Sequence, residues 1–344
     1  FFIIKTLNLN SSKKIYLAGS NGWLGKNILN VLHGRVSEIK ISSEHKIVIG
    51  DINLIPANDS YLSQRMLDVT DSNSIDKFIY DFQPGDIFVN CVGVIHPKKV
   101  ANFDEINNLG VILMLDKVLA LDPSKVIHIS SNSPIGVNSS PVLFNECSAY
   151  SPYMEYGKSK MASELFLIKR MKLCKNIIIL RPPWFYGPEM PERQMVFYNL
   201  AAAGLFPVIG NGMNLRSKVH TLNLVYAIFL SIQKPVSSSI YWISDDRPYS
   251  QLEIHQIIKR VYKKMGKKAF SFSYKLPNIV SESSMYADKF MQSINLYSPV
   301  IHVIGELNKN IACDISKAKE ELGYQPIFDF EDGLLQSLKH TPYY

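Results

Sequence analysis

From Lys14 onward, the 344-residue chain alternates short apolar runs with amphipathic stretches. KKIYLAG reads as a buried strand, and WLGKNILNVLHG carries apolar residues at helical spacing up to a terminating Gly34. HKIVIGD, GDIFVNCVG, KVIHISS and NIIILRPP repeat the strand signal. Between them, SIDKFIYDF, FDEINNLGVILMLDKVLALD and YMEYGKSKMASELFLIKRMK have the spacing of helices. Strand alternating with helix over this length predicts an α/β fold with a parallel, doubly wound sheet. After Tyr186 the pattern changes. GPEMPERQ is a proline-broken loop, NLAAAGLFPVIGNGMNLRS mixes a short helix with turns, and YWISD precedes the helix EIHQIIKRVYKKMG. The expectation is a main domain over residues 14–187, with a return segment at about 219–245. A smaller, C-terminal mixed α/β lobe takes 188–218 and 246–344, and a mobile leader takes 1–13. The leader's apolar start is too short to span a bilayer and lacks a signal-peptide cleavage pattern.

Composition narrows this picture only a little. Hydrophobic residues make up 47% and charged residues 19%, the balance of a soluble globular protein. A net charge of +7 mildly favours anionic ligands, but the basic residues are scattered, and no nucleic-acid partner is expected. Cys91, Cys147, Cys174 and Cys313 form no C-x-x-C pair, so neither a zinc ribbon nor a dithiol site is expected. Reduced thiols, a cytoplasmic location and no metal follow as expectations.

The first chemical signal is AGSNGWLG, set between the first strand and the first helix. Gly19, Gly22 and Gly25 allow a tight turn and close approach of the backbone to a pyrophosphate at the helix N-terminus, with Asn21, Trp23 and Leu24 in the same turn. Strand before and helix after make a dinucleotide the expected ligand. An acidic residue ending the second strand would bind the ribose of NAD. If HKIVIGD is that strand, Asp51 fits; if VSEIKISS is, Ser43 takes the place and NADP stays open. Asp68 and Val69 in MLDVTD either border an adenine edge or cap the next helix.

The second signal is YMEYGKSK. On a helix, residues four apart share a face, so Lys160 stands beside Tyr156 while Lys158 points to solvent. A nearby ammonium would lower the tyrosine pKa toward the working range. Upstream, KVIHISSNSPIG ends a strand with Ser130 and Ser131, hydroxyls able to hold a substrate oxygen. Asn107 in INNLG either anchors the lysine through a water or makes a packing hydrogen bond.

GSNGWLG, SSNSPIG, YGKSK and LRPPWFYGP together resemble the extended short-chain dehydrogenase/reductase family, which includes nucleotide-sugar epimerases, dehydratases and 3β-hydroxysteroid dehydrogenase-like enzymes. VHTLNLVYA, YWISDDRPYS and CDISKAKEELGYQP carry the resemblance to the C-terminal end. It implies a Rossmann-type fold, NAD as cofactor, and a homodimer formed by FDEINNLGVILMLDKVLA and the Tyr156 helix. It also implies that Tyr156 transfers the proton, Lys160 holds the nicotinamide ribose and Ser131 orients the reacting oxygen. Pro183 would border the nicotinamide, Cys91, Val92 and Gly93 would lie along the cofactor, and Asn107 is carried over as a catalytic-site residue.

The family's 4,6-dehydratases carry an Asp-Glu pair directly after the Ser/Thr, and this chain has Asn132 and Ser133 there, so the sequence argues against elimination. Asn132 is expected beside the substrate. GNGMNLRSKVHTLN resembles the segment that places an arginine on a substrate diphosphate, and Arg216 falls at the matching spacing. Asn223 stands where the family usually has an acidic residue, a departure that leans toward the steroid-dehydrogenase-like branch. The leading expectation is an NAD-dependent oxidoreductase or epimerase of a nucleotide-linked sugar. The alternatives are a dehydrogenase of a hydrophobic 3β-hydroxysteroid-like alcohol and a non-catalytic cofactor-binding regulator.

Overall fold

The computed structural model describes residues 4–9, 12–42, 45–54 and 62–339. Its centre is one sheet of seven parallel strands: β1 Ile15–Ala18, β2 Ile47–Asp51, β3 Leu62–Met66, β4 Ile87–Asn90, β5 Lys125–Ile129, β6 Ile177–Arg181 and β7 Ser239–Trp242. Their order across the sheet is β7-β6-β5-β4-β1-β2-β3. Chain order reverses beside β1, whose neighbours are β2 and β4, and the loops after their carboxyl ends open a crevice there.

Period-two alternation explains why the sheet is buried on both faces. Ile15, Leu17, Ile49, Val89, Ile127 and Leu180 point to one side, where α1 (Trp23–Leu32) and α6 (Thr221–Gln233) cover them. Tyr16, Val48, Phe88, Val126 and Ile179 point to the other, against α2 (Ser72–Ile79), α3 and α4 (Met154–Met171). Helix α3 opens with wide π-type turns over Phe103–Gly110 and continues as Val111–Leu119. A Cβ at Gly110 would stand 2.8 Å from Val69 Cγ2, so only glycine lets this helix lie so close to the loop after β3.

A third buried cluster holds Tyr186, Tyr198, Tyr249, Ile258, Phe330 and Leu334. Helices α5 (Glu192–Ala202), α7 (Gln251–Lys264) and α10 (Phe330–Lys339) enclose it. Helices α8 (Asn278–Ser293) and α9 (Pro299–Glu306) pack as a hairpin beside the cleft.

One expectation changes, and one open alternative is resolved. Lys5–Leu7 lies within the stretch read as a mobile leader, yet it is a strand paired in parallel with Ile39–Ile41. Leu7 and Leu9 are buried in the main core, so apolar burial holds this segment in place. VSEIKISS gives Ile39–Ile41 to that small ribbon, while HKIVIGD becomes the sheet neighbour of β1. Asp51 therefore ends the second sheet strand, and Ser43 lies outside the described residues. Among the described residues, no helix is long and apolar enough to cross a membrane.

Candidate functional site

The first part of the site is the turn after β1. Gly19 has φ +80°, and a Cβ there would stand 2.8 Å from the backbone carbon of Cys91. A Cβ at Gly25 would come within 2.3 Å of the Gly19 carbonyl oxygen, so helix α1 seats on the turn only through a glycine. Gly22 begins α1 without a side-chain cap, and the first turn holds no acidic residue, which leaves its amides for an anion. The backbone N–H of Asn21 donates to Asp51 Oδ2 at 2.9 Å, so the second strand's carboxylate borders the turn. Asn21 Oδ1 is buried without a hydrogen-bond partner. An uncapped helix start, a cradle closed to any Cβ and an orphaned amide oxygen suit a dinucleotide.

The other residues expected along the cofactor lie at the start of α1 and in loops after the strands. Leu24 and Val69 place their side chains in the core. Trp23 donates through Nε1 to the Pro188 carbonyl at 2.7 Å, tying this turn to the smaller lobe. The Asp68 carboxylate accepts from Thr70 N at 2.9 Å and Thr70 Oγ1 at 2.7 Å and so closes its own turn. Val92 N donates to Asn90 Oδ1 at 2.9 Å. A Cβ at Gly93 would lie 3.2 Å from Lys160 Nζ, so the Cys91–Gly93 loop passes directly over the lysine. Burial pushes the Cys91 thiol up to about 12, more than the Lys160 charge can offset.

Ser131, Tyr156 and Pro183 line one cavity of about 480 Å³. Ser130 is not free for this task, since its hydroxyl donates to buried Glu164. Ser131 Oγ accepts from the Ser133 backbone N–H at 3.2 Å and donates to Ser133 Oγ at 3.3 Å. Lys160 is buried and donates through Nζ to the Ile129 carbonyl at 2.9 Å. Burial lowers it to about 8, although the Cys91 and Glu164 charges work the other way. The expected lowering of the Tyr156 pKa is corrected: burial pushes Tyr156 up to about 12, Ser131 pulls it down, and Glu306 adds to the rise. Desolvation of the phenolate outweighs the help of its neighbours. Lys158 is exposed and pairs with Glu155 at 2.6 Å.

Asn107 makes the packing hydrogen bonds. Its Oδ1 accepts from Val94 N at 2.8 Å, and its Nδ2 donates to Val94 O at 2.9 Å and Ser159 Oγ at 3.3 Å. With both ends of the amide engaged, it clamps the loop that carries Val94. Asn223 likewise has a structural task. It donates to Asp245 and to the Phe328 carbonyl, each at 2.8 Å, and accepts from Ile327 N and Phe328 N. An ionised carboxylate there could not donate to Asp245.

On the substrate side, Asn132 and Arg216 line the same cavity. Arg216 is 5% exposed, donates through one terminal nitrogen to the Glu306 carbonyl at 2.5 Å, and has no partner for its buried Nε. Sequence reasoning missed Arg193, Tyr297, His302 and Glu306, which also line the cavity. The signal for the last two was present: Ser298-Pro299 marks a helix start, and His302 and Glu306 follow on one face, four residues apart.

A glycine-rich turn at the crevice of a parallel sheet, with a serine, tyrosine and lysine beyond it, defines a dinucleotide-dependent enzyme class. The model of the NAD dependent epimerase/dehydratase family matches residues 15–243, and the chain belongs to that family. An uncharacterized protein, y4nL, of Sinorhizobium fredii is 32% identical over 336 residues, covering 94% of each chain. The UDP-glucose 4-epimerase of Vibrio cholerae is 23% identical over 338 residues, again covering 94% of each. A solved dTDP-glucose 4,6-dehydratase from Bacillus anthracis, in complex with NAD, superposes with a TM-score of 0.70 at 18% identity, over 95% of this chain and 96% of that one. Dehydratases stand among the relatives at the same similarity as the epimerase, so these likenesses lend no support to an argument against elimination.

Proposed function

We propose that this protein is an NAD-dependent hydride-transfer enzyme acting on a nucleotide-linked sugar. One observation carries the reading: Ser131, Tyr156 and Pro183 share a single cavity with Arg216, whose buried Nε has no partner. The bound cofactor supplies a hydride acceptor and donor. Asp51 would take the adenosine ribose hydroxyls, the start of α1 the pyrophosphate, and Lys160 the nicotinamide ribose. Tyr156, protonated at neutral pH, donates to a substrate oxygen as it gains negative charge, and Ser131 holds that oxygen in place. The Arg216 guanidinium provides fork-like donors for a diphosphate. NAD is preferred over NADP because Asp51 is an anion beside the turn, where a 2′-phosphate would be repelled.

The apolar part of the cavity wall, which includes Phe197, Phe206 and Val300, keeps a second reading in view: a 3β-hydroxysteroid-like alcohol. Calorimetric titration of the NAD-loaded protein with UDP, GDP and dTDP separates the two. Saturable binding of one nucleotide, weakened by about 1.5–3 kcal/mol in Arg216→Ala through loss of charge-assisted bonds, supports the sugar reading. Arg216→Lys should lose less, because it keeps the charge but not the fork. No binding of any of the three overturns the sugar reading.

A further inference from the structure

The α8–α9 hairpin brings to the cleft a set of side chains that hydride transfer does not use. His302 Nδ1 lies 2.7 Å from Asp288 Oδ2. Asp288 is fully buried, and its other oxygen accepts from Gln292 Nε2 at 2.9 Å. The carboxylate therefore holds the imidazole with Nδ1 as donor, which leaves Nε2 as the working nitrogen. His302 Nε2 is 3.9 Å from Glu306 Oε1, and both residues line the cavity with Ser131 and Tyr156. Two rings join the sites: Tyr297 lies 5.7 Å from His302 and 5.5 Å from Phe103, which lies 5.7 Å from Tyr156.

Building on the hydride-transfer reading, we propose that His302 is a second acid–base residue of this cleft, moving a proton on the carbon next to a sugar ketone. Oxidation of a carbinol, or reduction of its ketone, requires one proton relay, and Tyr156 provides it. A carboxylate-oriented imidazole at the same cavity is equipment for a second transfer. It also stands in a chain whose Asn132 and Ser133 offer no acid–base pair beside Ser131.

The step balances without a further reactant. A C–H bond beside a ketone is acidified by the carbonyl. Neutral Nε2 takes that proton, the C–H electron pair forms the carbon–carbon double bond, and the carbonyl π pair moves onto oxygen, near Ser131. Returning a proton to the same face exchanges the carbon-bound hydrogen for one from solvent with retention. Where a hydroxyl sits on the next carbon, the enolate re-forms the carbonyl-conjugated system as that C–O bond breaks, and the imidazolium proton leaves with the oxygen as water.

The surrounding groups poise the imidazole for both roles. Asp288 faces it from α8, Glu306 from its own helix, Tyr153 from the start of α4 and Tyr297 from the connecting loop. His96 and Arg193, from the loop after β4 and from α5, are the nearby groups of basic type. Burial lowers the His302 pKa, but the hydrogen bond to Asp288 and the Glu306 and Asp288 charges outweigh it and raise the net value above 6.5.

The test uses the NAD-loaded full chain with histidine labelled in nitrogen-15, in wild type, Asp288→Asn and Tyr156→Phe, with His302→Gln to assign the resonance. The His302 Nε2 signal should titrate above the ordinary histidine range in wild type and fall in Asp288→Asn. An unchanged titration in Asp288→Asn overturns the acid–base pair. The same proteins are then mixed with UDP-glucose and with dTDP-glucose in heavy water, following reduced-nicotinamide absorbance and sugar C–H signals. His302→Gln should lose deuterium uptake by roughly 100-fold relative to the reduced nicotinamide it forms, the scale of one acid–base group. Tyr156→Phe should lose the absorbance change itself. Uptake unaltered in His302→Gln overturns the proposed role of His302. No absorbance change with either sugar overturns the hydride-transfer reading for these substrates, and the enolisation with it.

Discussion

Arg181 and Glu164 form an enclosed ion pair at 2.6 Å, with side chains 1% and 0% exposed, and Ser130 donates its hydroxyl to the same carboxylate. The Tyr150 hydroxyl donates to Glu164 at 2.6 Å and accepts from Arg181 at 2.9 Å. This network fixes the strand end that presents Ser131. Removing one charge leaves the other buried and unpaired, so Glu164→Ala should lose about 3–5 kcal/mol in urea unfolding. The double variant Glu164→Leu with Arg181→Met removes both charges and should recover most of that loss. Equal destabilisation in both proteins would contradict this account.

Gly25 tests the nucleotide cradle. With its would-be Cβ 2.3 Å from the Gly19 carbonyl oxygen, Gly25→Ala must push α1 away from the turn. The expected cost is about 1–3 kcal/mol of stability, as for other overpacked sites, together with weaker NAD binding. Gly34 is the control. It has φ +64° and nothing within 4 Å of its would-be Cβ, so Gly34→Ala carries only the left-handed penalty of about 1–2 kcal/mol. Its NAD affinity should match wild type by calorimetry. Equal affinity losses in the two variants would mean that the turn has no special part in binding.

The main sheet was legible because each strand, buried on both faces, is a short apolar run between turn residues, as in IYLA and IIILR. Tyr156, Lys160 and Ser131 were legible because helical spacing and a strand end put them in known places. What hid the rest is the dependence on tertiary packing. Lys5–Leu7 looks like a leader until Ile39–Ile41 is beside it. The Tyr156 pKa depends on burial, and a four-residue spacing says nothing about desolvation. His302 and Asp288 lie on separate helices fourteen positions apart, and no periodic pattern joins them. Asn107 and Asn223 could be placed in polar roles from sequence, but their partners are backbone groups that only the fold brings near.

The buried lysine gives the stability a pH dependence of definite sign. Lys160 holds its proton up to about 8 in the folded chain, against an ordinary 10.5. Between these values the unfolded chain binds a proton that the folded chain does not, so this group's contribution to stability rises with pH across that window. Below it, the cost of burying the ammonium is fully present, on the order of 3 kcal/mol. Lys160→Met should therefore be more stable than wild type near neutral pH, by less than that figure because the bond to Ile129 is lost. The difference should shrink as pH rises through the window. Tyr156 does not blur the result, since its pKa is raised to about 12 and its contribution falls only above the ordinary tyrosine value of 10.0. A stability difference that is flat with pH, measured by chemical denaturation, would show that the charge of Lys160 is not what burial penalises.

Helices α3 and α4 pack against each other and leave Leu109, Leu113 and Leu165 exposed at 61%, 37% and 38%. Leu109 and Leu113 are four residues apart, so they share one helical face. Exposed leucines on two adjoining helices fit a self-complementary patch, in which a second copy buries the same residues across a two-fold axis. Light scattering of the intact chain is expected to give twice the monomer mass of 39.0 kDa. A charge on that face would have to be buried without a partner, so Leu109→Glu should shift the equilibrium to monomer while leaving NAD affinity unchanged. A monomeric mass for the unmodified chain at working concentration would remove the dimer. A dimeric mass for Leu109→Glu would place the interface on another surface.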